Sequence, residues 1–281
     1  MNSQNLRIID ANLDRATEGL RVLEDIARFT LDDINLSARL KAMRHAIHQS
    51  FPHQTVDLIS ARDSAGDIGR KVEHQKEPAS HLADTVVANA RRVEQSLRVL
   101  EEISRVPGIC QNGLVFEEAR YAIYAIEKEI LSRLNRSAKA ERLKFYKIAQ
   151  NQAQLSQAVE AGAQAIQLER GTLAPNHFYD LVQESKTRCA ENDVLLIVED
   201  SVDIALAANV DGVALDEFSL PISVVRKLLK IDRLIGYAAK SPEEAVQAQS
   251  CGADYILCPE VLNLEISTAV NIPVVSPVHE D

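Results

Sequence analysis

Apolar residues in the first half of the chain recur at steps of three and four. Ile9, Leu13, Ala16, Leu20, Leu23 and Ala27 fall on one face of a 3.6-residue turn, with charged residues opposite. The same periodicity predicts helices near residues 8–30, 35–50, 80–106 and 113–136. From about Lys144 the rhythm changes to short apolar runs separated by helical stretches. The runs are Phe145 to Ala149, Ala165 to Leu168, Val194 to Val198, Gly212 to Leu215, Leu234 to Tyr237, Tyr255 to Leu257 and Ile272 to Val275. Strand alternating with helix is the signature of a parallel sheet. Three helix-to-strand junctions nearly repeat, EAGAQAIQL at 160–168, AANVDGVAL at 207–215 and QSCGADYIL at 249–257, with Gly162 and Gly252 suited to ending a helix.

The helical half is internally repeated. Residues 11–29, ANLDRATEGLRVLEDIARF, and 88–106, ANARRVEQSLRVLEEISRV, share ten identities in nineteen positions at an offset of 77. A second match follows each copy: Arg44 to His48 (RHAIH) against Arg120 to Tyr124 (RYAIY), at an offset of 76. Each repeat is therefore two helices. The fold class expected is α + α/β: a duplicated four-helix bundle over residues 1–139, then an incomplete TIM-like βα barrel of about seven strands over 140–281. That second half is short of the roughly 200 residues of a complete barrel. The tail SPVHED shows no further strand, which would leave two open sheet edges. The first and seventh strands could close on each other, or the helical half could cover the gap, but a second chain is the favoured cover, burying residues near 272–278 or 145–149 in a homodimer or larger assembly.

Composition narrows the class. With 46% hydrophobic and 26% charged residues the chain can bury a core, so disorder is excluded. The absence of a run of about eighteen apolar residues, and of a basic leader in MNSQNLRIIDANLDR, predicts a cytoplasmic protein with no membrane span. Cys110, Cys189, Cys251 and Cys258 are far apart and read as buried free thiols. Residues 1–139 carry 20 Lys+Arg and 20 Asp+Glu, which leaves 11 and 21 of the totals of 31 and 41 for residues 140–281. The entire net charge of −10 lies in the second half, and without a basic stripe nucleic acid is not an expected partner.

Candidate chemistry lies in both halves. Arg21 with Asp25 and Glu24 with Arg28 stand at i,i+4, as do Arg98 with Glu102 and Glu101 with Arg105; surface ion pairs and a functional role are both open for them. Asn12 and Asn89 are placed in the first turn of their helices, where capping accounts for an Asn, yet each is followed by an arginine three residues on, Arg15 and Arg92. In a pseudo-twofold bundle the two pairs would converge on one polar cleft. Between the repeats, Ser60 to Gly69 (SARDSAGDIG) reads as an irregular stretch. Asp63 and Asp67, four apart, suit magnesium; Arg62 suits phosphate oxygens; Gly66 and Gly69 let backbone N–H groups approach an anion. Neither GxxxxGK[ST] nor GxGxxG occurs. In the second half, strand ends offer Glu169, Glu199, Asp200, Asp216, Glu217 and Glu260 against Arg170 and Lys240, which reads as a solvated acidic rim more than as a cation site. His177 and His279 are read as surface residues.

Five motifs in order, DANLDRATEGLRVLEDIARF, LKAMRHAI, RDSAGDIG, ANARRVEQSLRVLEE and RYAIYAIEK, together resemble the helical domain found ahead of thiamine phosphate synthase in some bacteria. The resemblance covers roughly residues 5–135. It implies phosphorylation of hydroxymethylpyrimidine phosphate to the pyrophosphate, with ATP as co-substrate and Mg2+. It also implies catalytic roles for Arg62, Asp63 and Asp67 and a substrate cleft of Asn12, Arg15, Asn89, Arg92, Gly66 and Gly69. Arg70 stands where that domain has a threonine. The segments LIVEDSVDIALAANVDGVALDEFSLP, IGYAAKSPEEAVQAQSCGADYILCPE and NIPVV resemble the thiamine phosphate synthase family and its tautomerase relatives. Against that family's pattern, Glu169-Arg170-Gly171 replaces an Arg and Lys, and Glu199-Asp200 an Asn-Asp pair in which only Asp200 is kept. Asp216-Glu217 replaces Gly-Gln, Ala238-Ala239-Lys240 replaces Ser-x-His, and Ser276-Pro277 replaces a Gly-Gly loop, while the Thr-Thr-Lys clamp is absent after Glu260.

Those departures remove the groups that would hold a pyrophosphate leaving group. The combined expectation is a phosphotransferase acting on a small phosphorylated pyrimidine, joined to a non-catalytic barrel. The alternatives are synthase or tautomerase activity in the barrel, and a non-enzymatic scaffold or sensor.

Overall fold

The computed structural model describes residues 3–51, 55–62, 81–110, 112–229 and 231–279, and the chain divides into two compact units, Met1–Leu134 and Asn135–Asp281. In the first unit the described residues form α1 (Ser3–Phe29), α2 (Ile34–Gln49), α3 (Thr55–Ala61), α4 (Leu82–Ser104) and the start of α5 (Leu114–Ala140). The apolar stripe read from the sequence is the buried one: Ile9, Ala16, Leu20, Leu23 and Ala27 are fully enclosed, and Val86, Ala90, Val93, Leu97 and Leu100 do the same for α4. Helix α2 begins where the Asp33 carboxylate accepts hydrogen bonds from the backbone N–H groups of Asn35 and Leu36, both at 2.9 Å.

Equivalent contacts recur in the two repeats. Glu24 accepts from Arg44 on the following helix at 3.0 Å, and Glu101 accepts from Arg120 at 3.2 Å. Both glutamates are buried, so these are clamps between helices rather than surface pairs. Arg21 with Asp25, Arg98 with Glu102 and Arg105 with Glu101 do pair along their helices. The Glu24–Arg28 pair does not form; Arg28 lies over the Phe29 ring, 4.7 Å from its centroid. Burial pushes the Glu101 carboxyl up, but hydrogen bonds from Arg98 and Arg120 outweigh it and hold it below the usual carboxylate range.

Two local expectations are corrected. The stretch starting at Ser60 is not wholly irregular, because Ser60 and Ala61 end α3, whose Leu58 is anchored in the core. Asn12 and Asn89 do not lie in first turns. Helix α1 starts at Ser3 and α4 at Leu82, so both asparagines are interior, and each donates its amide to the carbonyl four residues back, Ile8 and Thr85, at 2.8 Å. With the helix already begun, no orphan N–H is left there for an Asn to cap.

In the second unit, parallel strands alternate with helices: β1 (Tyr146–Ala149), α6 (Gln152–Glu160), β2 (Ala165–Leu168), α7 (Pro175–Glu191), β3 (Leu195–Glu199), α8 (Val202–Ala208), β4 (Gly212–Leu215), α9 (Ile222–Leu228), β5 (Leu234–Ala238), α10 (Pro242–Cys251), β6 (Tyr255–Leu257), α11 (Glu260–Ala269), β7 (Val274–Val275) and β8 (Val278–His279). The repeated junctions work as the sequence indicates: Gly162 at φ 83°, Asn209 at φ 56° and Gly252 at φ 104° end helices in the left-handed region. The aspartates that follow lock adjacent strands together, since Asp211 accepts from Leu196 N–H at 3.1 Å and Asp254 from Ile235 N–H at 2.8 Å. Arg136, at the end of α5, reaches Asp254 at 2.9 Å.

The tail supplies the strand that the sequence reading denied it. The strand order is β7-β6-β5-β4-β3-β2-β1-β8, with Lys147 opposite Val278 and Ile148 opposite His279. Because β7 pairs with β6 and β8, three residues further on, pairs with β1, a single terminal segment spans the gap and nearly closes the barrel. A pair of residues with no alternating apolar pattern is too short a signal to read as a strand. The β1 edge is thus covered within the chain, which removes the reason for expecting a second chain at residues 145–149 or 272–278. Two smaller points complete the unit: Cys251 is exposed rather than buried, and no helix among the described residues is long and apolar enough to cross a membrane.

Two stability predictions arise from this packing. A Cβ on Gly19 would stand 2.7 Å from Val93 Cγ2 and 3.1 Å from the Asn89 carbonyl oxygen, so Gly19→Ala is expected to destabilise the helical unit by about 1–3 kcal/mol, measured by denaturant unfolding. Truncation after Pro277 strips β8 from β1 and is expected to lower Tm and promote association through the bared edge, read by thermal melting and light scattering.

Candidate functional site

Helices α1 and α4 pack against each other, and a cleft of about 530 Å³ opens beside their contact. It is lined by Asn12, Arg15, Ala88, Arg91, Arg92, Gln95, Ser96 and Val99. Asn12, Arg15 and Arg92 come together as the repeat implied. Asn89 does not line the cleft but sits beneath it, accepting from Arg92 at 3.3 Å. Arg91 is the residue that sequence reasoning missed; the available signal was its place opposite Asp14 in the repeat, where a carboxylate becomes a guanidinium. Three exposed guanidinium groups around one concavity give the cleft a positively charged lining, and each presents forked N–H donors of the geometry that matches phosphate or carboxylate oxygens.

Arg62 occupies a different setting from the one its motif suggests. Its Nε and Nη2 donate to the two oxygens of Asp10 at 2.6 and 2.9 Å, and Nη2 also reaches Asp14 at 2.9 Å. The hydrogen bond to Asp10 leads the effects that raise its pKa, followed by the charges of Asp14 and Asp10. Asp63, Gly66, Asp67 and Gly69 lie outside the described residues. Among the described residues no three His, Cys, Asp or Glu side chains converge to hold a metal ion, and Asp10 and Asp14 are already taken up by Arg62, so those residues offer magnesium no fitting site.

The barrel presents the opposite charge. Leu195 and Ile197 face its interior, so Glu199, two residues on along β3, points to the same side at the C-terminal mouth. Burial pushes its carboxyl up first, and the charges of Glu169, Asp216 and Asp200 push it further, against one backbone hydrogen bond from Arg170. Lys240 does not offset this rim, because its ammonium is spent on Glu217. Below the mouth the Tyr146 hydroxyl donates to Gln167 Oε1 at 2.9 Å and meets the Tyr255 hydroxyl at 3.2 Å, a buried polar chain inside an otherwise apolar barrel. Burial raises both phenols above their ordinary range, so they act as neutral donors. Asp200 adopts φ 39°, and its N–H donates to the Ala214 carbonyl at 2.9 Å. Outside the mouth a second cleft, of about 510 Å³, runs from Asp200 and Asp203 to the exposed Phe218 and Leu220. Glu260 and His177 are exposed, and Glu260 opens α11.

The raised Glu199 fixes a pH dependence. A carboxyl whose folded pKa lies above its unfolded value contributes stability at low pH and loses it as pH rises through the folded pKa. Glu199→Gln is therefore expected to raise Tm by a few degrees at pH 7, with the gain vanishing below the ordinary glutamate range, followed by calorimetry against pH.

Comparison with known proteins accords with this two-unit arrangement. Residues 7–129 match the ThiD2 family, and residues 144–266 match the family described as thiamine monophosphate synthase. A thiamine-phosphate synthase of Synechocystis sp. is 35% identical over 258 residues, covering 89% of this chain and 73% of the relative. That of Rhodopirellula baltica is 34% identical over 266 residues, covering 90% and 71%. Among solved structures, a thiamine phosphate pyrophosphorylase from Pyrococcus furiosus aligns at 30% identity with a TM-score of 0.46, covering 50% of this chain and 77% of that one. With relatives matched over both units and nearly three quarters of their length, the chain belongs to the thiamine-phosphate synthase family.

Proposed function

We propose that the protein acts in thiamine biosynthesis, and that its helical unit transfers the γ-phosphoryl group of ATP to hydroxymethylpyrimidine phosphate. One observation carries this reading: the cleft between α1 and α4, where Asn12, Arg15 and Arg92 meet. An arginine-lined cleft suits a phosphorylated small molecule, because a guanidinium fork satisfies phosphate oxygens with direction as well as charge. In the reaction an oxygen of the substrate phosphate forms a bond to the γ-phosphorus, the bond to the β-phosphate oxygen breaks, and ADP leaves. Positioning and neutralisation of phosphate charge are what a protein contributes to such a transfer. Asp63 and Asp67 as magnesium ligands, and Gly66 and Gly69 as phosphate contacts, rest on the sequence motif alone. The match of residues 7–129 to the ThiD2 family supports the assignment of this half.

In this reading the barrel is a retained fold without synthase turnover. Its support is electrostatic: Glu169, Glu199, Asp200 and Asp216 gather at the mouth and Lys240 is paired with Glu217, an environment that repels a pyrophosphate leaving group. A second reading, in which the barrel condenses the pyrimidine pyrophosphate with a thiazole phosphate, is favoured by the names of the relatives at 34–35% identity.

Both readings are tested on the full chain. Incubated with ATP, magnesium and hydroxymethylpyrimidine phosphate, it is expected to release ADP and the pyrimidine pyrophosphate; with the thiazole phosphate added, no thiamine phosphate is expected, and its appearance would favour the second reading. Asp67→Asn is expected to lower phosphorylation by about two orders of magnitude or more, with an unchanged circular dichroism spectrum. Wild-type turnover in that variant would sink the role given to Asp67.

A further inference from the structure

The two repeats differ along one helix face. At the offset of 77, Asp10, Asp14 and Glu18 of α1 correspond to Val87, Arg91 and Gln95 of α4. Spaced four apart, each trio runs along a single side of its helix. Three carboxylates in the first copy have become a valine, an arginine and a glutamine in the second, while Asn12, Arg15, Arg21 and Glu24 keep their counterparts Asn89, Arg92, Arg98 and Glu101.

The packing turns this difference into two unlike half-sites. Asn12 lines the cleft with Ser96, and Gly19 lies against Asn89. Exchanging the repeats maps the first pair onto the second, so α1 and α4 run antiparallel about a pseudo-twofold axis that passes near Arg15 and Arg92. On the α1 side of that axis the acidic face is occupied from within, by the Arg62 guanidinium held on Asp10 and Asp14. On the α4 side Val87 and Arg91 leave nothing to receive a cation. Among the described residues Arg91 there, and Arg15 across from it, form no ion pair, the charge of Arg91 being felt by Glu94 without a direct contact, and Arg92 donates to the amide oxygen of Asn89. One half-site has taken its cation; its partner has the charge inverted and awaits an anion.

We propose that the α4 half of the cleft is a phosphomonoester anchor in which Arg15, Arg91 and Arg92 grip the phosphate of the phosphorylated pyrimidine, and that Arg91, where the repeat is broken, determines this specificity. The assignment rests on the reading of the helical unit as a phosphotransferase for its choice of ligand, but the anchor is a matter of binding and stands or falls separately. Asn12 and Gln95, at the same rim, supply neutral donors and acceptors for the remainder of the ligand. The asymmetry also sets stoichiometry: one phosphate per chain, despite the duplicated helices.

The test is calorimetric titration of the full chain with hydroxymethylpyrimidine phosphate, with the unphosphorylated alcohol, and with inorganic phosphate as competitor. Wild type is expected to bind the phosphate ester once per chain, about tenfold or more tighter than the alcohol, with inorganic phosphate competing. Arg91→Asp, which restores the residue of the first repeat, is expected to abolish that preference while leaving affinity for the alcohol unchanged; Arg91→Gln should fall between. Arg91 is exposed, and unaltered thermal melting of both variants checks that the fold is intact. Absence of a phosphate-dependent preference in wild type, or its persistence in Arg91→Asp, overturns the anchor. Arg91-dependent phosphate binding without ATP turnover would keep the anchor and remove the phosphotransferase reading. Turnover with an unchanged KM in Arg91→Asp would do the reverse.

Discussion

The close approach of α1 and α4 is the constraint on which the helical unit depends. At Gly19 the two backbones come near enough that even a methyl group would press on the Asn89 carbonyl and Val93. Such proximity brings residues almost eighty positions apart in sequence to opposite walls of one cleft, Arg15 beside Arg92. It also explains why Asn12 and Asn89 are interior to their helices. A short amide that hydrogen-bonds back to its own helix fits a tight crossing, where a longer side chain would hold the helices apart.

The buried clamps Glu24–Arg44 and Glu101–Arg120 serve the same geometry from the other side. Each ties the first long helix of a repeat to the helix that follows it, and each glutamate is removed from water. A buried pair of this kind is weak evidence for stability but costly to break, because the surviving charge loses its partner. The effect is to fix the rotation of α1 and α4 about their own axes, so that the arginines at positions 15, 91 and 92 face the cleft rather than the core.

The second unit reaches closure by different means. Its strands are only two to five residues long, so neighbouring backbones carry the register, with Asp211 and Asp254 pinning the entry of one strand to the next. The final segment divides its pairing between β6 and β1 across Ser276-Pro277, so that both of those strands gain a neighbour from one short stretch of chain. The cost of this mouth is electrostatic: carboxylates crowd one end of the barrel, and Glu199 holds its proton more tightly as a result.

The division into helical and βα halves, the duplication, seven of the strands to within a residue or two, and the helix-ending role of Gly162 and Gly252 were legible in the sequence, because these are periodic or local signals. It pointed to Arg15 and Arg92 because both repeats carry them. Tertiary structure alone decided the rest. The strand pairing of Val278 and His279 needs β1, which lies some 130 residues earlier, and no local pattern encodes such a partner. Glu24 and Glu101 resembled helix-surface charges until the next helix brought its arginine to them. The inversion from Asp14 to Arg91 was visible as a mismatch between repeats, yet its meaning depended on which wall of the cleft each residue faces. Charge is written in the sequence, but whether two charges meet is a matter of distance, and the fold sets that distance.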